Sequence, residues 1–540
     1  MKIVIIGGVA AGASAAARLR RLDESAEIVI LERGEFISYA NCGLPYHVGG
    51  AIESRDSLLV MPAAKFASWF NVDVRTSSEA CAINRGRKTV SVRGVGGEYE
   101  EPYDKLIIAT GSSPAEDPTP GAKAPRIKNL WTIADMDSVL ETIRSGAKNA
   151  IIVGGGFVGL ETAENLAKRG LGAILVQRGN HLLPSLDFEM ARPIADELAS
   201  MGVGLRLGRK VSGYEASEDS AAAILDDGER LEAGLVIVST GVRPNSELAA
   251  AAGLECGKRG HIRVNENMRT SDPDIYAAGD AVEVRDPLFG GSAAIPLAGP
   301  ANRQGRIAAD NIAGIASAYA GTYGASVIKV GRICAGSVGY TEARLKAAGK
   351  PFKKAYLHPS SNASYYPGAA RMDMKIMFDC GGKILGAQIV GEKGVDKRID
   401  TIAQAMRNGT DVRGLGELEL AYAPPFSSAK DPVNFAGFVA SNILSGLSTP
   451  AYAESIPEGA LVLDVREARE REGGYIPGSV NIPLGQLRAR LGELDKNRAI
   501  VASCQVGLRG YLAERILKQH GFSASNLSGG YLTWKAVNSK

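Results

Sequence analysis

The sequence predicts a mixed α/β chain, and three observations carry that prediction. An apolar strand, a glycine-rich turn and a helical segment occur at the amino terminus and recur in the same order from Ala150. Between roughly Thr322 and Phe438 the pattern changes to shorter strands and one clear helix, which reads as a separate α+β domain. Farther on, short apolar strands alternate with helical segments once more, as in a small α/β domain.

In the first unit a strand runs from Lys2 to Ile6, followed by Gly7, Gly8 and Gly12 and an alanine-rich helix through Arg21. A second strand, Glu27 to Leu31, leads to Glu32, an acidic residue at the position that meets a ribose hydroxyl in dinucleotide-binding βαβ units. Such a turn brings backbone N–H groups to a pyrophosphate at the positive end of a helix, where any side chain would obstruct the approach. The second unit, Ala150 to Gln177, carries the full fingerprint at Gly154, Gly156 and Gly159, whereas the first has Val9 in place of the middle glycine. Glycine turns also serve packing alone, but two such units followed by YAAGD at Tyr276 to Asp280 favour nucleotide binding. After its second strand the second unit has Gln177 and Arg178 instead of an acid. Glutamine does not repel a 2′-phosphate and arginine pairs with one, which tilts toward NADPH. NADH use stays open, and two exposed polar residues at a strand end explain the pair equally well.

Three strands and a helix are expected in the α+β region, at Ser326 to Val330, Lys375 to Phe378, Ile384 to Val390 and Val395 to Arg407. The segment SGLSTPAYAESIPEGA, near 445 to 460, reads as a linker.

At 540 residues the chain is too long for one core and predicts three or four domains. A net charge of +3, with no basic run interleaved with aromatics, gives no case for nucleic acid. The 65 glycines exceed what turns alone would use, which fits close backbone approach to ligands. Six cysteines without a C-x-x-C pair, and five scattered histidines, argue against a protein metal site and suit a reducing compartment. No stretch reaches membrane-spanning length, and a cytoplasmic location is expected.

Two cysteines stand in reactive settings. Cys42 lies in SYANCGLPYHV, where Pro45 suits a first helical turn, so the thiol is expected near a positive dipole end with a lowered pKa. Cys504 ends a strand in IVASCQVGLRG. Gly507 permits a tight curve and a helix follows from Tyr511, so successive N–H groups can converge on the sulfur. Cys81, Cys256, Cys334 and Cys380 read as small buried hydrophobes.

Together these motifs resemble the pyridine nucleotide-disulfide oxidoreductase family over residues 1 to about 445. The matching elements are the Gly7 to Gly12 turn with Glu32 and Arg33, the ATG of Ala109, Thr110 and Gly111, and the STG ending at Gly241. Gly279 and Asp280 of YAAGD, and Pro296 and Ala298 of IPLAGP, complete the cofactor-binding set. The resemblance implies FAD at the first unit, NADH or NADPH at the second, Asp280 on the flavin's ribityl chain, and a homodimer.

SYxxCGLPY resembles the single-cysteine branch, which includes coenzyme A-disulfide reductases, persulfide reductases, and NADH oxidases and peroxidases. Two-cysteine members place a second thiol five positions on, where this chain has His47, so Cys42 would pair with a sulfur species from outside. The oxidase members carry a histidine in the first glycine turn, and here Ala10 and Ala11 stand there. Ser14, Arg18, Arg21, Ser38 and Asn41 match the coenzyme A-using members, as do Tyr365 (or its neighbour Tyr366), Tyr422 and Lys430. Without the resemblance, Arg18 and Arg21 read as a solvated helix face.

Residues from about 453 resemble a rhodanese domain: LVLDVRE, YIPGSVNIP with Tyr475 in place of a commoner histidine, the loop Cys504 to Arg509, and LSGGYLTW. Four residues separate cysteine from arginine, a ring that fits a persulfide better than a phosphate, with Arg509 stabilising the anion.

The expected architecture is thus two Rossmann-like dinucleotide-binding domains, an α+β dimerisation domain and a C-terminal rhodanese α/β domain. The boundaries are 1–112 and 246–320 for the two parts of the FAD-binding domain, 113–245 for the NAD(P)H-binding domain, 321–445 for dimerisation and 453–540 for rhodanese. The expected activity is flavin-dependent reduction of coenzyme A disulfide, coenzyme A persulfide or polysulfide through Cys42, with Cys504 carrying sulfur to it directly or through free coenzyme A. The alternatives are an NAD(P)H oxidase or peroxidase, and a sulfur-trafficking or redox-sensing module.

Overall fold

The computed structural model describes residues 1–538. They divide into two units: Met1–Arg178 with Gly202–Gly324, and Gly179–Met201 with the residues from Ala325 onward.

In the first unit each glycine-turn repeat builds its own five-stranded sheet. The first sheet orders Ile275–Ala277, Lys105–Ile108, Lys2–Ile6, Glu27–Leu31 and Asp73–Arg75, with every pairing parallel. Ile3, Val4 and Ile5 are fully buried, the unbroken apolar run that a parallel strand covered on both faces requires. The helix Ala10–Leu22 packs on Ala298–Ile312, with Ser14 Oγ donating to Asn302 Oδ1 at 2.7 Å. Small residues make this approach possible: a Cβ on Gly305 would stand 2.2 Å from the Ala11 carbonyl. The second sheet orders Gly204–Leu207, Gly172–Gln177, Asn149–Val153, Leu235–Val238 and Ile127–Lys128, again all parallel. A two-stranded antiparallel ladder, Ser112–Pro114 with Val242–Pro244, ties the ATG segment to the STG segment.

In the second unit an antiparallel sheet orders Ser326–Val330, Ile333–Gly339, Ile384–Gly391, Met372–Phe378 and Lys353–Leu357. The helices Val395–Arg407 and Phe188–Ser200 pack on it. Phe188–Ser200 lies inside the 113–245 segment assigned from sequence to the nucleotide domain, yet it belongs to this unit. Buried polar groups explain the departure. Lys375 is fully buried, and its Nζ donates to Asp187 (2.8 Å), Glu189 (2.6 Å) and Glu342 (2.8 Å). Gln388 Nε2 donates to Asp187 at 2.6 Å, and Tyr356 Oη donates to Glu189 at 2.7 Å. Among the described residues these three acids form a grouping of the kind that could hold a cation, and the Lys375 ammonium fills it.

The terminal sheet is parallel, in the order Pro450–Ala451, Ala524–Leu527, Ile500–Ser503, Leu461–Asp464 and Val480–Asn481. The expected linker is therefore a correction. Pro450–Ala451 is an edge strand of this sheet, and Ser448 Oγ and Thr449 N–H both donate to the buried Glu514 carboxylate. The next residues fasten the domain to the antiparallel sheet: Tyr452 Oη donates to the Lys354 carbonyl at 2.9 Å, and Lys354 pairs with Glu454. Tyr356 N–H donates to Ser528 Oγ at 3.0 Å, and His358 bridges Asp373 (Nδ1, 2.6 Å) and Thr533 (Nε2, 2.9 Å). Polar and small residues suggest a linker by composition, but their hydrogen bonds are made at long range. Among the described residues no helix is long and apolar enough to cross a membrane.

Candidate active sites

Both glycine turns are closed in the same way, by the side chain that ends the second strand. Glu32 Oε2 accepts from Gly8 N–H and Oε1 from Gly34 N–H, each at 2.8 Å, and Gln177 Oε1 accepts from Gly155 N–H at 2.9 Å. Gly7 has φ +100°, and a Cβ there would lie 2.3 Å from the Ala109 carbonyl, so the turn admits glycine alone. Gly12 and Gly159 press against the carbonyls of Gly7 and Gly154, respectively, while the space beside Gly156 is open. Thr110 and Gly111 are bonded to Asn245, and the Gly241 carbonyl accepts from Ala115 N–H. Arg33 and Arg178 are exposed, as are Pro296 and Ala298 beside the start of the helix Ala298–Ile312.

Next to Gly279, Asp280 accepts from Ser112 Oγ at 2.7 Å, and burial holds its carboxyl above the usual carboxylate range. An open backbone at Gly156, a closed acidic turn at Glu32 and the Ser112–Asp280 pair fit a flavin dinucleotide on the first repeat and a nicotinamide dinucleotide on the second.

Cys42 sits in the short 3₁₀ turn Asn41–Gly43, and the helix Leu44–Gly49 follows with Pro45 in its first turn. The segment is pinned to the first glycine turn through Ser38, a left-handed residue (φ 45°) whose N–H donates to the Gly8 carbonyl at 2.9 Å. Cys42 is exposed, and the Asn41 carboxamide oxygen lies 4.0 Å from its sulfur. The expected lowering of the thiol pKa is not found. Partial desolvation by the chain packed around the sulfur, followed by the Glu161 and Asp280 carboxylates, holds it above the ordinary thiol value. A six-residue helix supplies a smaller dipole than two nearby carboxylates oppose. Glu161 itself escaped the sequence reading; the signal available was an acid in the first turns of an otherwise apolar helix, GGGFVGLE.

Arg18 is ion-paired with Asp310 (Nε to Oδ1, 2.6 Å), whereas Arg21 is exposed, so the helix does not present two equivalent free guanidinium groups.

In the second unit, Tyr365 Oη and Tyr422 Oη lie 3.1 Å apart, both exposed, and this contact raises the Tyr422 pKa. Tyr366 instead bonds through its backbone to Ala363. Tyr422 also lines a cleft of about 500 Å³ with Lys393, Lys397 and Phe426, and Lys430 is exposed.

Cys504 is fully buried at the end of Ile500–Ser503, and its sulfur accepts from Gly507 N–H at 3.1 Å. Gly507 has φ +97°, the left-handed turn expected of it. The following helix begins at Leu508, not Tyr511, which places Arg509 in its first turn. Both terminal nitrogens of Arg509 fork onto Glu470, at 2.7 and 2.6 Å. That pair holds Glu470 at about 2 and raises Arg509, with the Cys504 sulfur a lesser contributor. Arg509 thus faces both Glu470 and the Cys504 sulfur. Buried Arg466 completes the setting, bonded to Asp464 and donating to Gln505 Oε1 at 2.9 Å. Its signal in the sequence was the D-x-R at the end of LVLDVRE.

Comparison with known proteins places this geometry in a family. A model of the pyridine nucleotide-disulphide oxidoreductase family matches residues 1–305, its dimerisation-domain model matches residues 326–432, and a rhodanese-like domain model matches residues 449–537. The chain belongs to the pyridine nucleotide-disulphide oxidoreductase family, with a rhodanese-like domain at its carboxy-terminal end. A coenzyme A disulfide reductase of Staphylococcus aureus is 34% identical over 444 residues, 81% of this chain and 99% of the relative. The solved structure of reduced Bacillus anthracis CoADR-RHD is 43% identical and superimposes with a TM-score of 0.97 over 99% of this chain and 98% of its own. A NAD-dependent persulfide reductase from A. fulgidus is 37% identical, with a TM-score of 0.94 over 99% of this chain and 100% of its own.

Proposed function

We propose that this flavin-dependent oxidoreductase reduces the disulfide or persulfide of coenzyme A, or a related polysulfide, with electrons from NADH or NADPH. The observation that carries the reading is Cys42: an exposed thiol, without a disulfide partner among the described residues, fastened through Ser38 to the first glycine turn. FAD and the nicotinamide nucleotide, when bound, supply the two-electron reduction. Glu32, the Gly7–Gly12 turn, Ser112 and Asp280 would hold the first; Gly154, Gly156, Gly159 and Gln177 would hold the second. The Cys42 thiolate attacks a substrate sulfur, forming a mixed disulfide with release of a thiol or hydrosulfide, or, from the sulfane sulfur of a persulfide or polysulfide, a Cys42 persulfide with release of the thiol or a shorter polysulfide. Ser14, Arg18, Arg21, Ser38, Asn41 and Lys430 are assigned to substrate binding, and Tyr365 and Tyr422 to catalysis. The dimerisation domain supports a homodimer.

The test is anaerobic reduction of the flavin by NADH and by NADPH, followed by reoxidation with coenzyme A disulfide, coenzyme A persulfide, inorganic polysulfide or oxygen. Rapid reoxidation by a coenzyme A species, with slow reoxidation by oxygen, is expected. Oxygen matching the best sulfur compound would replace this reading with an oxidase.

The second expected result concerns Cys504, proposed as the sulfur carrier. Cys504→Ala removes the sulfur that accepts from Gly507 N–H and abolishes sulfur transfer from thiosulfate to a small thiol. Reduction of coenzyme A disulfide should stay within about twofold of the parent, because that chemistry belongs to another thiol. Retained sulfur transfer would remove Cys504 from the mechanism.

A further inference from the structure

The end-on fork of Arg509 in the Cys504 loop is already filled. Nη1 donates to Glu470 Oε2 at 2.7 Å and Nη2 to Glu470 Oε1 at 2.6 Å, the two-pronged geometry with which a guanidinium takes an oxyanion. Glu470 is fixed in turn, because its Oε2 also accepts from Glu467 N–H at 3.0 Å and closes a capping box on the short helix Ala468–Arg471. The Arg509 and Glu470 side chains are 32% and 29% exposed, so a molecule arriving from solvent can meet the pair. Arg466, which donates to Gln505 Oε1 within the loop, is buried and paired with Asp464, so it offers no second fork. Beyond Gly507 the helix Leu508–Gln519 presents Leu508 and Leu512, one turn apart and both exposed.

From this arrangement we propose that Glu470 is a specificity-determining residue for the loading of Cys504: it discriminates against small dianionic sulfur donors such as thiosulfate and leaves the site to organic persulfides, whose groups beside the sulfur carry no charge. With an organic persulfide the Cys504 thiolate attacks the terminal sulfur. The bond between the donor's two sulfurs breaks, its electron pair leaves on the organic thiolate, and the terminal sulfur stays on Cys504 as a persulfide. Thiosulfate loads the same sulfur with sulfite as the leaving group, but its sulfonate oxygens compete with Glu470 for the fork and bring two negative charges toward a carboxylate. Arg509 holds the Glu470 carboxyl at about 2, so that charge is present throughout the neutral range. Leu508 and Leu512 suit the apolar body of an organic donor. Glu470 makes no bond to the sulfur and acts through Arg509.

The inference rests on the proposed role of Cys504 as sulfur carrier. Its test is the initial rate at which the Cys504 peptide gains one sulfur atom, followed by mass on the full-length, FAD-loaded protein without nicotinamide nucleotide. Thiosulfate and pantetheine persulfide are each varied in concentration, giving a half-saturating concentration and a limiting rate. The parent should need at least about tenfold more thiosulfate than pantetheine persulfide for half-saturation. Glu470→Gln keeps the side chain that closes the capping box and removes only its charge. It should lower the half-saturating thiosulfate concentration about tenfold, with the limiting rate and both constants for pantetheine persulfide within about twofold of the parent. A thiosulfate constant that is unchanged or raised overturns the proposal, as does an equal fall for both donors, which marks a site merely opened. Should Glu470→Gln not fold, a parent that loads from thiosulfate as readily as from pantetheine persulfide does the same. Loading by neither donor would end the carrier role as well, whereas loading in the wrong order ends this inference alone.

Discussion

Cys42→Ser loses at least about a thousandfold in turnover with any disulfide or persulfide substrate, while still binding the flavin and accepting hydride from the nicotinamide nucleotide. The substitution replaces sulfur by a smaller oxygen on an exposed turn, so the fold has little to lose. The chemistry has everything to lose, because a serine hydroxyl neither ionises near neutral pH nor forms a mixed disulfide. Single-turnover absorbance separates the two halves: fast flavin reduction should persist, and reoxidation by the sulfur compound should stop. A variant that keeps a tenth of the parent's turnover would move the reaction to another group.

The second large effect is on stability. Lys375→Met should destabilise the second unit by about 3–5 kcal/mol, because it leaves Asp187, Glu189 and Glu342 facing one another with their shared ammonium gone. Lys354 still bonds Glu342, so part of the compensation survives. The pH dependence gives an independent check. Glu342 is held at about 2, below its ordinary 4.5, by its lysine partners against the opposing effect of burial. A carboxyl lowered on folding contributes stability that is present above its ordinary value and lost as pH falls toward the folded one. The gap between parent and variant should therefore narrow as the solution is acidified below about pH 4.5. Thermal unfolding at a series of pH values measures it, and a gap that widens in acid would contradict the assignment of charges.

How much the sequence disclosed followed the range of the interactions involved. Lys2–Ile6 and Glu27–Leu31 were legible because a glycine turn and an apolar run are local signals. Ser326–Val330 and Val395–Arg407 stand where their residue patterns put them. The edge strand Pro450–Ala451 was not legible, since two residues become a strand only by pairing with Ala524–Leu527. The raised Cys42 thiol was hidden for a similar reason: Glu161 lies more than a hundred positions away in the chain, and nothing near Cys42 announces it. Arg509 was found as a residue, but its partner Glu470 was not, because a bidentate clamp between two helices leaves no trace in spacing.

The seam between the antiparallel sheet and the terminal domain has an implication for how the chain may be cut or rearranged. Shortening it after Leu444 would strip the Tyr356 N–H of its Ser528 hydroxyl acceptor, His358 of its Thr533 partner, and Lys354 of the Glu454 carboxylate. The two modules should therefore melt less like beads on a string than like halves of one cooperative block, so that damage to either half lowers the melting of both.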